Sequence, residues 1–216
     1  MRIVIIDYGV GNIKSIKNAF ENQGASVILS REREDIIGAD GLILPGVGAF
    51  SHAMNNLNKY GLVDIIKEYV ETKKPLLGIC LGMQMLLEGS EEFGYTKGIG
   101  LIEGKVIRLP LNQSNIQKLP HISWNGIQPK DIKWQHTILD SVDKDSDMYF
   151  VHTYVAKPKD TNEILAITKY FNNEFCSALK KDNIYGCQFH PEKSSSIGLS
   201  IIRNFINISK LKPCQN

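Results

Sequence analysis

The chain has 216 residues, 43% of them hydrophobic and 22% charged, with a formal net charge of +2. That balance excludes fibrous and disordered classes, and so small a charge gives no electrostatic case for nucleic acid or an anionic membrane as partner. The four cysteines, Cys80, Cys176, Cys187 and Cys214, have neither CxxC nor paired spacing. A disulfide framework and a zinc site are therefore not expected, no other metal or cofactor is expected, and a reducing, cytoplasmic setting is.

Residues 2–6 form an apolar run stopped by Asp7. The run is too short for the core of a signal peptide and predicts a first strand. Residues 12–23 carry Ile13, Ile16 and Phe20 at helical spacing, and Gly24 closes them. Strands are predicted at 25–29 and 41–44, helices at 50–57 and 63–72, a fourth strand at 75–79 and a helix at 81–88. Strands alternating with helices make a mostly parallel sheet covered on both faces. The second half differs, with strands at 106–108, 148–156, 164–170, 175–180 and 184–189 and a closing helix at 197–208. The last two strands are joined by Lys180-Lys181-Asp182-Asn183, a hairpin turn. The expected fold is α/β: three layers, a mostly parallel central sheet with helices on both faces, and an antiparallel extension. One domain is expected over 1–210, with a tail at 211–216. No apolar run approaches the roughly 20 residues of a membrane span.

The sharpest chemical signal is Gly78-Ile79-Cys80-Leu81-Gly82, where an apolar strand ends and a helix begins. A lone cysteine on a strand is more often inert packing. Glycines two residues to either side, at a strand-to-helix junction, instead describe the thiol form of a nucleophile elbow. A thiol nucleophile needs a base, and the base needs an orienting group. Of five histidines, only His190 has one at hand: in Gln188-Phe189-His190-Pro191-Glu192, alternation puts His190 and Glu192 on one side. Pro45-Gly46-Val47-Gly48 follows the third predicted strand. Its backbone N–H groups, at Val47 and Gly48, and that of Leu81 are candidates for an oxyanion site. Gly9-Val10-Gly11 begins like a dinucleotide fingerprint, but Lys14 stands where the third glycine is needed.

Together these residues resemble the class I, triad-type glutamine amidotransferases. The resemblance runs over nearly the whole chain. It is nearer still to the branch of glutaminase subunits that serve imidazole glycerol phosphate synthases in histidine biosynthesis. Asp7-Tyr8-Gly9-Val10-Gly11-Asn12, Gly78 to Gln84, Tyr149 to Tyr154 and His190-Pro191-Glu192-Lys193-Ser194 carry it. The resemblance implies a Cys80, His190, Glu192 triad that hydrolyses glutamine to glutamate and ammonia. It implies that Gly48, Gln84 and Glu92 line the glutamine pocket, with Tyr149, His152 and Thr153 closing it. It implies a heterodimer with a (β/α)8 cyclase subunit that receives the ammonia, with Asn12, Trp124 and Asn125 at the contact. The chain departs from the branch at Ser123, where glycine is expected before Trp124-Asn125. The alternatives are a glutaminase feeding a sugar amidotransferase, a thiol-elbow hydrolase or deglycase, and a non-catalytic subunit.

Overall fold

A computed structural model describes residues 1–110 and 118–211. The first half is β1 (Arg2–Ile6), α1 (Ile13–Asn22), β2 (Ser26–Ser30), α2 (Arg33–Gly38), β3 (Gly41–Leu44), α3 (Phe50–Lys59), α4 (Leu62–Glu71), β4 (Leu76–Ile79) and α5 (Leu81–Met85). Then come β5 (Leu87–Ser90), β6 (Thr96–Lys97), β7 (Ile102–Arg108), β8 (His121–Pro129), β9 (Ser146–His152), β10 (Tyr154–Pro158), β11 (Ile164–Tyr170), β12 (Asn173–Lys181), β13 (Ile184–Cys187) and α6 (Ser195–Lys210).

The main sheet has the order β2-β1-β3-β4-β13-β12-β11-β8-β9. Pairing is parallel from β2 to β13 and antiparallel from β13 onward. The expected α/β fold with an antiparallel extension is what forms. Strand β1 shows why the central strands are apolar throughout. Ile3 and Ile5 pack on one face with Phe20 of α1 and Phe205 of α6. Val4 and Ile6 pack on the other with Phe50 and Leu57 of α3 and Ile66 of α4. All four are fully buried, a gain of about 2 kcal/mol each. The second sheet, β10-β7-β5-β6, adds Val106 and Ala156 to the α3–α4 side of the core.

Two expectations are corrected. The helix expected at 81–88 ends at Met85, and Leu87–Ser90 is a strand pairing with β7. A short apolar run fits a buried helix or a buried strand equally well, and here the partner strand decides. The strand expected at 148–156 is two strands in different sheets, β9 paired with β8 and β10 with β7, and Thr153 is the step between them. Helix α2 and strands β6 and β8 were not foreseen. The closing helix extends two residues beyond 197–208 at each end. The expected tail begins at Leu211, and its residues 212–216, Cys214 included, lie outside the described residues.

Candidate active site

Three neighbouring parallel strands, β3, β4 and β13, deliver their carboxyl ends to one place, which is where open α/β sheets bind ligands. From β4 comes Cys80, at φ 54° and ψ −111°, a strained conformation for a side-chain-bearing residue. The flanking glycines are sterically required. A Cβ on Gly82 would stand 1.9 Å from the Leu44 carbonyl oxygen, and one on Gly78 would stand 2.7 Å from the Met83 nitrogen. Helix α5 has only five residues, so its contribution at the sulfur is its free first-turn N–H groups, Leu81 among them.

From β3 comes the glycine loop. Gly46 packs so closely on the elbow that a Cβ would lie 2.8 Å from the Gly82 nitrogen. Gly48 has φ +90°, the left-handed region. The loop is tied at both ends: Tyr8 Oη donates to the Pro45 carbonyl at 2.6 Å, and the Phe50 N–H donates to Glu92 Oε2 at 2.7 Å. One carboxylate oxygen of Glu92 therefore holds the loop's exit into α3.

From the end of β13 comes His190. His190 Nδ1 lies 2.9 Å from Glu192 Oε1, and both side chains are buried. Strand alternation was the expected cause of this pairing. The actual cause is a corner, since β13 ends at Cys187 and residues 191–193 form a single 3₁₀ turn led by Pro191. The corner is pinned to β9. The His190 N–H donates to the Tyr149 carbonyl at 3.0 Å. Ser194 Oγ donates to the His190 carbonyl at 2.7 Å and accepts from the Tyr149 N–H at 3.0 Å.

Burial works against charge on His190, but the Cys80 sulfur and the Glu192 carboxylate outweigh it and push its pKa up to about 10. His190 Nε2 itself is buried with no hydrogen-bonding partner among the described residues, so it is free to carry or take a proton. The imidazolium form of His190 is therefore favoured beside the sulfur. Burial pushes the thiol of Cys176 up to about 12 and raises that of Cys187 as well, so neither competes as a nucleophile.

These parts enclose a cavity of about 360 Å³. Val47, Gly48, Cys80, Leu81, Gln84 and Glu92 line one portion of it, and His152, Thr153 and His190 also reach it. The step between the two sheets puts Val151 to Tyr154 on the wall. Tyr149, expected to close the pocket, does not line it; its ring stands 6.4 Å from that of His190 and 5.9 Å from that of Trp124. Its alternation with His152 along β9 turns it away. Trp124 is half exposed on β8, beside Asn125, and Asn12 stands at the start of α1; none of the three lines the cavity.

A chain of hydrogen bonds connects β8 to the pocket. The Tyr154 carbonyl lies 3.1 Å from His152 Nδ1 and 2.9 Å from Gln84 Nε2. A carbonyl can only accept, so His152 carries its proton on Nδ1 and its Nε2 accepts from His121 Nδ1 at 3.0 Å. His121 Nε2 in turn meets Ser123 Oγ and the Asn125 side chain, both at 2.8 Å. Burial, with His121 beside it, pushes His152 down to about 3, so it is neutral and no rival to His190 as base. His121, Val151, Tyr154, Gln188 and Ser194 were given no site role from sequence. Gln188 had a usable signal, its place two residues before His190 at the end of an apolar run. No group of three His, Cys, Asp or Glu that could hold a metal occurs among the described residues.

The family model described as glutamine amidotransferase class-I matches residues 4–208. Imidazole glycerol phosphate synthase subunit HisH 1 of Legionella pneumophila (strain Lens) is 45% identical over 95% of this chain and 99% of its own. Subunit HisH 2 of Methanococcus maripaludis is 47% identical over 94% and 98%. In solved structures the fold is shared with PurLQS from Thermotoga maritima, at TM-score 0.71, 17% identity and coverage of 95% and 97%. The glutaminase domain of Trypanosoma brucei CTPS, solved with bound acivicin, gives TM-score 0.67 at 15% identity, covering 99% and 96%. The elbow, the His-Glu corner and the near-complete match agree, and the chain belongs to the class I glutamine amidotransferases.

Proposed function

We propose that this chain is the glutaminase subunit of an imidazole glycerol phosphate synthase, acting in histidine biosynthesis and paired with a cyclase subunit. The observation that carries the reading is the thiol on a strained elbow, opening into the same cavity as an imidazole whose other nitrogen is held by a buried carboxylate. The relatives' names and near-complete coverage support the choice of synthase.

Glutamine enters the cavity with its side-chain amide at Cys80. The thiolate attacks the amide carbon, forming the S–C bond. Charge on the carbonyl oxygen is met by backbone N–H groups of Val47 or Gly48 and of Leu81. His190 gives its proton to the amide nitrogen, the C–N bond breaks, and ammonia leaves a thioester behind. Water, deprotonated by His190, attacks the thioester; the C–S bond breaks and glutamate departs. Glu92 has one oxygen tied to Phe50 N–H and the other available for the substrate's α-ammonium. Gln84 spends both N–H bonds on Tyr154 and Gln188, so only its carbonyl oxygen is left to meet substrate. It therefore accepts from a substrate N–H and does not bind the carboxylate. The ammonia passes to the (β/α)8 cyclase subunit, which uses it to form imidazole glycerol phosphate and aminoimidazole carboxamide ribotide.

Glutamate release by the purified chain, alone and with a cyclase partner and its nucleotide substrate, tests the proposal. The expected result is a slow rate alone, a much faster rate in the complex, and none with Cys80→Ala in either. Equal rates with and without the cyclase partner reject this synthase as the acceptor. Full activity of Cys80→Ala rejects the glutaminase mechanism.

A further inference from the structure

Gln188 is fully buried, one residue past the end of β13. The parallel register pairs Cys187 with Ile79, so the next residues, Gln188 and Cys80, stand side by side on adjacent strands. The Cys80 N–H donates to the Cys187 carbonyl at 2.7 Å, which locks the two strand ends together at that level. Gln188 Nε2 lies 3.7 Å from Cys80 Sγ, and Gln188 Oε1 lies 2.9 Å from Gln84 Nε2.

The direction of these contacts follows from one atom. The Tyr154 carbonyl accepts only, so the Gln84 atom facing it is the nitrogen. That nitrogen also faces the Gln188 amide and can only donate, so it meets the Gln188 oxygen. The remaining end of Gln188, its NH₂, is then the end that faces the sulfur. Both amides are buried, and turning either one would set like against like at two contacts.

We infer that Gln188 is a further catalytic residue: a fixed N–H donor that anchors the Cys80 sulfur as thiolate, aimed by Gln84 and the Tyr154 carbonyl. The inference rests on Cys80 being the nucleophile. It gives the sulfur a buried N–H donor, set against the Val151 carbonyl 4.0 Å away, while His190 supplies the counter-charge. It also makes Gln84 a positioning residue whose substrate-binding oxygen and sulfur-aiming nitrogen belong to one rigid amide. The titratable groups electrostatically coupled to the sulfur are His190 and Tyr8, and changing Gln188 alters neither.

The test is alkylation of Cys80 by iodoacetamide in the full chain across pH, read on the Cys80 peptide by mass spectrometry, with thermal unfolding as the check on folding. In Gln188→Met, which removes the donor at similar volume, the midpoint of the pH profile is expected to rise by about one unit, about tenfold in thiolate fraction below it. Gln188→Glu keeps an oxygen for Gln84 but puts a second oxygen against the sulfur, and it should raise the midpoint at least as far. A residue that merely propped Gln84 would leave the midpoint of Gln188→Met at the wild-type value, and that result would overturn the inference. Should Gln188→Met not fold, Gln188→Asn draws the amide back by one methylene and carries the same expectation. A wild-type Cys80 that reacts at neutral pH no faster than in the urea-unfolded chain overturns the nucleophile reading itself. A fast wild-type thiol with unmoved variants overturns only the role of Gln188.

Discussion

Replacing Glu192 by Gln isolates what the buried carboxylate does for the base. Glu192 Oε1 holds His190 Nδ1 at 2.9 Å, its side chain has no exposure, and its Oε2 has no hydrogen-bonding partner among the described residues. His190 stands at about 10 against an ordinary 6.5. At about 1.4 kcal/mol per pH unit, the imidazolium is favoured by about 5 kcal/mol net of burial. The sulfur and the Glu192 carboxylate produce that preference together against burial, so removing the Glu192 charge weakens it. Glutamine in this place adds a second loss. With its oxygen on Nδ1, its NH₂ sits where Oε2 was, with no acceptor offered there. Turned over, it demands a bare Nδ1 and leaves the proton on Nε2, a tautomer that cannot take one from water. Glu192→Gln should therefore lower kcat for glutamate release by about a hundredfold or more, with KM little changed. Steady-state kinetics with the cyclase complex from about pH 6 to pH 11 measure this, and the alkaline limb should move to lower pH. A loss under about threefold with an unmoved profile would refute the assignment of Glu192 as the group that holds and charges the base.

Gly82→Ala puts a Cβ 1.9 Å from a backbone oxygen that no rotamer can avoid, so the elbow and β3 must separate. The expected cost is about 3 kcal/mol or more, seen as a fall in Tm of roughly 6–12 °C together with loss of glutaminase activity; an unchanged melting curve would reject the tight elbow. Ser194→Ala leaves the Tyr149 N–H without its acceptor and frees the His190 carbonyl, costing about 1–3 kcal/mol, and kcat should fall more than KM rises. Equal kcat in mutant and parent would show that the corner holds without this staple. His152 is neutral down to about pH 3 in the folded chain but titrates at its ordinary 6.5 when unfolded. In that window the unfolded chain binds a proton that the native chain refuses. Stability is therefore full above about 6.5 and is lost as pH falls toward about 3, by up to about 1.4 kcal/mol per pH unit. His152→Gln should flatten this slope in urea unfolding at about pH 4 and about pH 7, and an identical slope in the variant would reject the assignment.

Much of the site was legible in the chain because its chemistry is local in sequence. The glycines around Cys80 report a turn that only glycine permits, and that turn is formed by consecutive residues. His190 and Glu192 are two residues apart, so their pairing needed only a corner, although the corner proved to be a 3₁₀ turn and not a continuing strand. The alternation of strands and helices in the first half follows from side-chain periodicity, and the core of β1 confirms why that pattern is apolar on both faces. Residues 81–88 and 148–156 were harder. In both, one apolar run serves two elements, and the break depends on which distant strand offers hydrogen bonds.

The sequence by itself pointed to Cys80, His190 and Glu192 as one set and to the α/β class, because each rests on a spacing that backbone geometry constrains within a few residues. Only the tertiary structure decided which side chains meet the sulfur and how they are turned. Gln188 reaches Cys80 through the register of two strands more than a hundred residues apart in sequence. The Tyr154 carbonyl fixes the direction of the Gln84, Gln188 and His152 contacts together. Tyr149 and His152 lie close together in the chain, yet one turns to the Trp124 side and the other to the cavity, because β9 alternates where the main sheet ends. Hydrogen-bond direction and strand register are properties of pairs brought together by folding, and no local pattern of residues encodes them.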